Sequence, residues 1–262
     1  MDLGIEGKWA LVCGSSKGLA YGCAAALAAE RVNLVLTART AAALDITAQQ
    51  LRNRYPNIHI RTASGDIATE EGRHAALAAA PQIDILINNA GGPPPGDMRE
   101  WNRDTWIGAL DANMLAPIEL IKATVDAMAQ RGFGRIVNIT SSAVKAPISA
   151  LGLSNGARSG LTGFVAGLAR QPDLASRNVT LNNLLPGTFD TDRLQSNLAN
   201  AAAKAGLPLD EFLKNRRAIV PAKRFGSIEE LGATCAFLCS AHAGYLTGQN
   251  ILLDGGAYPG AF

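Results

Sequence analysis

Seven short apolar runs, separated by longer amphipathic and alanine-rich segments, dominate this sequence and limit what it can fold into. The runs cover residues 9–14 (WALVCG), 33–38 (NLVLTA), 59–65 (HIRTASG), 84–90 (DILINNA), 135–140 (RIVNIT), 179–185 (VTLNNLL) and 250–256 (NILLDGG), and they read as strands. Several are apolar almost throughout, as strands buried on both faces are. The clearest intervening segments, 18–31, 41–55, 102–131, 153–170 and 227–239, read as helices. Repeated βα units of this spacing predict an α/β chain built on a doubly wound, mostly parallel sheet of seven strands with helices on both faces. No Pro/Gly-rich linker and no solenoid-length repeat divides the chain, so residues 1–262 read as one domain. A hydrophobic content of 48% over 262 residues is enough for one large core.

Two segments break the alternation. GGPPPGDM (residues 91–98) is a rigid loop directly after the fourth strand, and residues 188–221 form a long helical insertion after the sixth. Ligands of open parallel sheets bind beyond the carboxyl ends of the strands, where both segments must lie. They are the expected walls of a small-molecule pocket, with 188–221 as its lid.

Charge excludes more than it suggests. Twenty-four basic against 22 acidic residues, net +2 with no polybasic run, points to neither nucleic acid nor an anionic membrane surface. The start of the chain lacks a signal-peptide pattern, and no apolar run reaches the roughly 18 residues of a membrane span. Four cysteines are too few for a disulfide framework; Cys235 and Cys239 share a helical face without the second cluster a metal site needs, and read as buried thiols. The expected compartment is the cytoplasm.

The first strand runs into GSSKGLA (residues 14–20) and then a helix. Glycine permits a tight turn and close approach of backbone to a pyrophosphate, and a helix amino terminus offers free N–H groups to the anion. The spacing is G-x-x-x-G-x-A, which a purely structural turn also satisfies; its place in a βα series favours dinucleotide binding. Lys17 lies inside this loop, and the second strand ends in Ala38–Arg39 where NAD sites commonly carry a carboxylate. Two cations and no acid suit a 2′-phosphate, so NADP(H) is preferred over NAD(H), the alternative being that Arg39 is merely the solvated start of a helix.

At this point the sequence resembles the short-chain dehydrogenase/reductase family along essentially its whole length, and within it the 3-oxoacyl-ACP reductase-like and sugar dehydrogenase-like members. GSSKGLA is similar to the family's cofactor loop, with Ala20 in place of its last glycine; GDI is similar to its Asp-plus-apolar pair at the adenine, and NNAG (residues 88–91) to its fourth-strand signature. The resemblance implies a single-domain Rossmann-type fold whose cofactor is held by Gly14, Ser16, Lys17, Gly18, Leu19, Arg39, Asp66, Ile67, Asn89, Ala90, Gly91, Arg158, Pro186, Gly187 and Thr188. It also implies Asn113 as carrier of a proton-relay water, Ser141 as the substrate-orienting hydroxyl, and a homotetramer or homodimer. Helices 102–131 and 153–170 would form one interface, and the final strand with AYPGAF another.

The family's Y-x-x-x-K pair is absent. Counted from Ser141, the tyrosine position is Ser154 and the lysine position Arg158, within Ser154-Asn155-Gly156-Ala157-Arg158; the four tyrosines (Tyr21, Tyr55, Tyr245, Tyr258) fall elsewhere in the sequence. A serine hydroxyl is a far weaker acid than a phenol of pKa about 10, and an arginine holds its charge instead of relaying protons. Loss of a positioned general acid costs about 10²–10⁴ in rate, whereas proximity and orientation still contribute up to about 7–11 kcal/mol. Lys145 is a candidate for a relocated acid, with a solvated loop lysine as its alternative; Asp97 and Asp190 are weaker candidates that also suit helix capping. His59, His74 and His242 fall outside the expected site. Ser154, Asn155 and Arg158 together suggest a polar clamp for a hydroxyl-rich substrate or a carboxylate. The sequence therefore favours an NADP(H)-dependent oxidoreductase for a small polar carbonyl/alcohol pair, with catalytic set Ser141, Ser154, Arg158 and Asn113. Left open are a cofactor-binding sensor or scaffold without redox turnover, and a non-redox lyase or isomerase.

Overall fold

The computed structural model describes residues 1–261. The elements in chain order are β1 (Trp9–Val12), α1 (Gly18–Ala29), β2 (Asn33–Ala38), α2 (Ala41–Arg54), β3 (Ile60–Ser64), α3 (Glu70–Ala78), β4 (Ile85–Asn88), α4 (Arg103–Leu110), α5 (Ala116–Arg131), β5 (Gly134–Ile139), α6 (Gly152–Leu168), the short α7 (Pro172–Ala175), β6 (Val179–Pro186), α8 (Asp192–Ala205), α9 (Leu209–Ile219), α10 (Ile228–Cys239) and β7 (Asn250–Leu253). The seven strands form one sheet of order β3-β2-β1-β4-β5-β6-β7. Every pairing is parallel, where the sequence had suggested only mostly parallel. The strand order reverses between β1 and β4, which opens a crevice at their carboxyl ends.

β1 shows why these strands are apolar throughout. Ala10 and Val12 face a core completed by α1, α2 and α10, while Trp9 and Leu11 face a second core completed by α5 and α6. On the first face, α1 and α10 meet at two glycines: a Cβ on Gly22 would lie 2.3 Å from the Ile228 carbonyl oxygen, and one on Gly232 2.3 Å from that of Gly22. Only glycine permits this approach, which fixes the helix that follows the glycine loop.

Four asparagines stand in register on four adjacent strands: Asn88, Asn138, Asn183 and Asn250. Their amides form a chain, Asn88 to Asn138 at 2.9 Å, Asn138 to Asn183 at 3.0 Å and Asn183 to Asn250 at 2.8 Å. A slip of one residue in any of these strands would orphan buried amides, so the chain pins the register near the site.

The expected helix over 102–131 is interrupted. Asn102 caps α4 by accepting from the Thr105 N–H, but Asp111–Leu115 form a π-turn before α5 begins. Residues 188–221 carry α8 and α9, as the sequence suggests. Their base is closed by Asp190 N–H to Gly226 O (2.8 Å) and Gly226 N–H to Thr188 O (3.0 Å), and their own small core is Leu198, Leu213 and Phe225. Among the described residues no helix is long and apolar enough to cross a membrane.

Candidate active site

The glycine loop leaves β1 with Gly14 at φ +62°, where a Cβ would lie 2.7 Å from Asn89 Nδ2. Gly14 thus joins the loop after β1 to the loop after β4, across the crevice. Ser15 is turned inward, its N–H donating to Thr37 O, and Thr47 Oγ1 donates to Ser16 O. The α1 amino terminus at Lys17 has no side-chain cap, so its first N–H groups have no capping acceptor among the described residues. Such a turn fits a pyrophosphate.

Around this turn, Lys17 and Arg39 are both exposed. Lys17 reaches Asp192 at 3.7 Å, on the first turn of α8, while Arg39 makes no hydrogen bond or ion pair among the described residues. Asp66 follows β3 with one carboxylate oxygen accepting from Ala68 N–H, and Ile67 beside it is buried. Pro186 ends β6, and Gly187 lies so close to β7 that a Cβ on it would meet that of Asp254 at 2.7 Å.

Ser154 and Arg158 lie one turn apart on α6 and are each only 8% exposed. The structure brings them together: Arg158 Nε donates to Ser154 Oγ at 3.2 Å. Arg158 Nη1 donates to Ile139 O (2.6 Å) and Thr140 O (2.9 Å), and Nη2 to Ala90 O (3.3 Å). One side chain therefore binds α6 to the ends of β5 and β4. Of its five N–H donors four are engaged, and the fifth is on Nη2. Burial, and secondarily the neighbouring Arg193, push the guanidinium down to about 10, which keeps it charged at neutral pH.

Ser141 follows β5 and accepts from Ala143 N–H at 3.1 Å, which leaves its hydroxyl proton to donate. Ser154 is in the same position, because Arg158 supplies the bond it accepts. Asn113 stands in the π-turn, buried, its amide donating to Ala109 O at 3.3 Å while its Oδ1 has no partner. The expected clamp of Ser154, Asn155 and Arg158 is only partly formed. Asn155 donates to Ile148 O at 2.8 Å and holds the loop before α6, so the clamp is the Ser154–Arg158 pair.

The other acid candidates separate clearly. Asp97 accepts from Arg99 N–H and pairs with the Arg99 side chain, and Asp190 accepts from Gln195, so both do structural work. Lys145 places its ammonium 5.6 Å from the centre of the Tyr258 ring, a cation–π contact. His59 stacks on Trp9, His74 stands by Glu70 and His242 meets Asp2 O. All four cysteines are buried and free. Arg193 carries no local sign in the sequence, yet it donates to Gly92 O at 2.7 Å beside Arg158. Its pattern becomes visible only when the 188–221 segment folds over the loop after β4.

A seven-stranded parallel sheet with its switch point at β1/β4, a glycine turn there and a serine just after β5 define a Rossmann-type α/β protein with a site at the carboxyl edge. Residues 14–258 match the family described as enoyl-(acyl carrier protein) reductase. The chain is 30% identical to dehydrogenase/reductase SDR family member 4 of Bos taurus, covering 97% of this chain and 88% of that protein. It is 29% identical to the NADPH-dependent reductase BacG of Bacillus subtilis, over 95% and 97% of the two chains. Among solved structures, L-sorbose reductase from Gluconobacter frateurii, complexed with NADPH and L-sorbose, superposes with a TM-score of 0.93 at 29% identity, covering 99% of this chain and all of that one. The chain belongs to the short-chain dehydrogenase/reductase family of oxidoreductases.

Proposed function

We propose that the protein is an NADP(H)-dependent oxidoreductase that interconverts a small polar carbonyl compound and its alcohol, in a site centred on Ser141, Ser154 and Arg158. The observation that carries this reading is the Arg158 guanidinium, which reaches from α6 to the ends of β4 and β5 and keeps one N–H donor in reserve. A position that had lost its purpose has no reason to bury a cation with four well-placed acceptors. Preference for NADP(H) rests on Lys17 and Arg39, two exposed cations with no acid at the end of β2, and accords with the NADPH-dependent relatives.

NADPH supplies the hydride when bound. Gly14, Ser16, Gly18 and Leu19 would present backbone to its pyrophosphate, Asp66 and Ile67 would border the adenine, and Asn89, Ala90, Gly91, Pro186, Gly187 and Thr188 would flank the nicotinamide half. Arg158 keeps its remaining N–H for an oxygen of the substrate. Ser141 and Ser154 both have a hydroxyl proton to give to that oxygen, and the guanidinium against Ser154 Oγ strengthens Ser154 as a donor. Asn113, with an unpartnered buried oxygen, is placed to hold a water. Residues 188–221 serve as a lid that excludes water. The chain acts in the cytoplasm and self-associates through the faces where Ile107, Leu115 and Phe164 stand exposed.

The test is NADPH oxidation and NADP⁺ reduction over ketones, oxo-acids, aldoses and polyols, with Arg158→Ala and Ser154→Tyr in parallel. Turnover by the native protein that Arg158→Ala abolishes supports the reading. NADPH binding without turnover on any compound sinks it in favour of a cofactor-binding sensor.

A further inference from the structure

The loop after β4 is flanked by two guanidiniums that no acidic side chain among the described residues neutralises. The point where a Cβ would sit on Gly92 has as its nearest atoms Arg158 Nη2 at 3.5 Å and Arg193 Nη1 and Nη2 at 3.6 and 3.8 Å. Arg158 comes from α6 and is buried, while Arg193 comes from the first turn of α8 and is exposed. Arg193 is anchored through Nη2 to Gly92 O (2.7 Å) and Pro93 O (3.4 Å), which leaves its Nη1 and Nε donors unengaged. On Arg158 the donor left among the described contacts is on Nη2, the nitrogen that lies nearest Gly92.

Like charges converge at a cost unless an anion joins them. The ion pairs among the described residues include neither arginine. Asp192, the nearest acid in sequence, is turned to Lys17. The repulsion registers in Arg158, whose guanidinium is lowered in part by Arg193. Two guanidiniums from separate elements, each with an unengaged N–H donor and both within 4 Å of one point beside Gly92, are the arrangement that takes the two oxygens of a carboxylate with N–H···O contacts of about 2.7–2.9 Å.

The start of α8 also separates this place from the phosphate cradle. Thr191 lies against the glycine loop, its Cγ2 3.8 Å from the Cβ point of Gly18, and Asp192 meets Lys17. Arg193, next along, has crossed to the loop after β4. We propose that the substrate is an acid whose carboxylate is seated between Arg158 and Arg193, with Arg193 as the specificity-determining residue. This assignment rests on the oxidoreductase reading above.

The experiment uses oxo-acids of about three to six carbons, each beside its own amide, with kinetics and with calorimetry on the NADPH-loaded protein. At least one acid is expected to exceed its amide by about tenfold or more in kcat/KM or affinity. In Arg193→Gln that ratio falls below about threefold through a raised KM for the acid, NADPH affinity holds within about twofold, and Arg193→Lys restores part of the preference. No preference for any acid overturns the assignment, and neutral carbonyl compounds that are still reduced leave the oxidoreductase reading intact. An acid bound tightly but never reduced sinks the oxidoreductase reading and keeps the anion seat. Loss of NADPH affinity in Arg193→Gln with the acid/amide ratio unchanged assigns the pair to the cofactor's pyrophosphate and overturns the proposal.

Discussion

Replacing Arg158 with methionine, which has similar reach and no donors, is the most informative single perturbation. Four bonds vanish: those to Ile139 O, Thr140 O, Ala90 O and Ser154 Oγ. The serine regains a partner by rotation, but three carbonyls lose theirs. An unsatisfied buried acceptor costs about 1–3 kcal/mol, and because this site opens on a crevice that water enters, the low end applies, giving about 3 kcal/mol in all. A domain of this size shifts by about 2–4 °C per kcal/mol, so Tm falls by about 6–12 °C in a cofactor-free thermal melt followed by circular dichroism. Saturating NADPH raises the Tm of the native protein by mass action. In Arg158→Met that rise shrinks, because α6 is no longer tied to the ends of β4 and β5, beside which the cofactor would lie. A Tm within about 2 °C of the native value, with an undiminished NADPH shift, would refute the bridging role of this side chain.

Other consequences follow from the same geometry. Lys17→Ala and Arg39→Ala each raise KM for NADPH by about tenfold and leave NADH nearly untouched, since each removes a charge-assisted contact to a 2′-phosphate; equal losses for both cofactors would contradict that role. Glu230, bound by Arg224 and by the α10 cap at Ser227 N–H, is lowered from 4.5 to about 2. Its contribution is complete above pH 4.5 and fades as pH drops toward 2, so a pH series of melts on Glu230→Gln shows a flatter acid limb than the native protein. Burial pushes the Cys13 thiol up to about 12, and Cys235 and Cys239 are raised well above an ordinary thiol. All four thiols are buried, so Ellman's reagent titrates none in the native state and all four in denaturant; labelling of the native protein on the scale of minutes would show that the core around them opens.

The sheet was legible because its strands must be apolar on both faces, a pattern no helix between them shares. The glycine loop and the Ser154/Arg158 substitution were legible as local motifs with fixed places in a βα series. What the sequence concealed is of three kinds. The helix α3 is nine residues long, opens on Glu70-Glu71-Gly72 and is held by Thr69 accepting from Gly72 N–H, so its apolar periodicity is too short to stand out. The π-turn at Asp111–Leu115 leaves no trace, since one extra residue in a turn breaks no hydrophobic pattern at that length. The asparagine chain and the Arg158–Arg193 pair are products of register and of the 188–221 segment folding back. Arg193, Asn138, Asn183 and Asn250 each read alone as an unremarkable polar side chain. Lys145 and Tyr258 likewise meet only once the chain end returns past β7 to the loop after β5.

The reading that most needs a direct trial is that redox chemistry occurs at all in a site without tyrosine and lysine. NADPH deuterated at the transferable position of C4, incubated with the protein and whichever compound of the panel binds, gives a product to be read by mass spectrometry. A working Ser141–Ser154–Arg158 site predicts deuterium on the new carbinol carbon, and loss of that label in Arg158→Ala. A bound compound that is recovered unlabelled, or isomerised or cleaved without deuterium, contradicts hydride transfer and assigns the fold to binding or to non-redox chemistry.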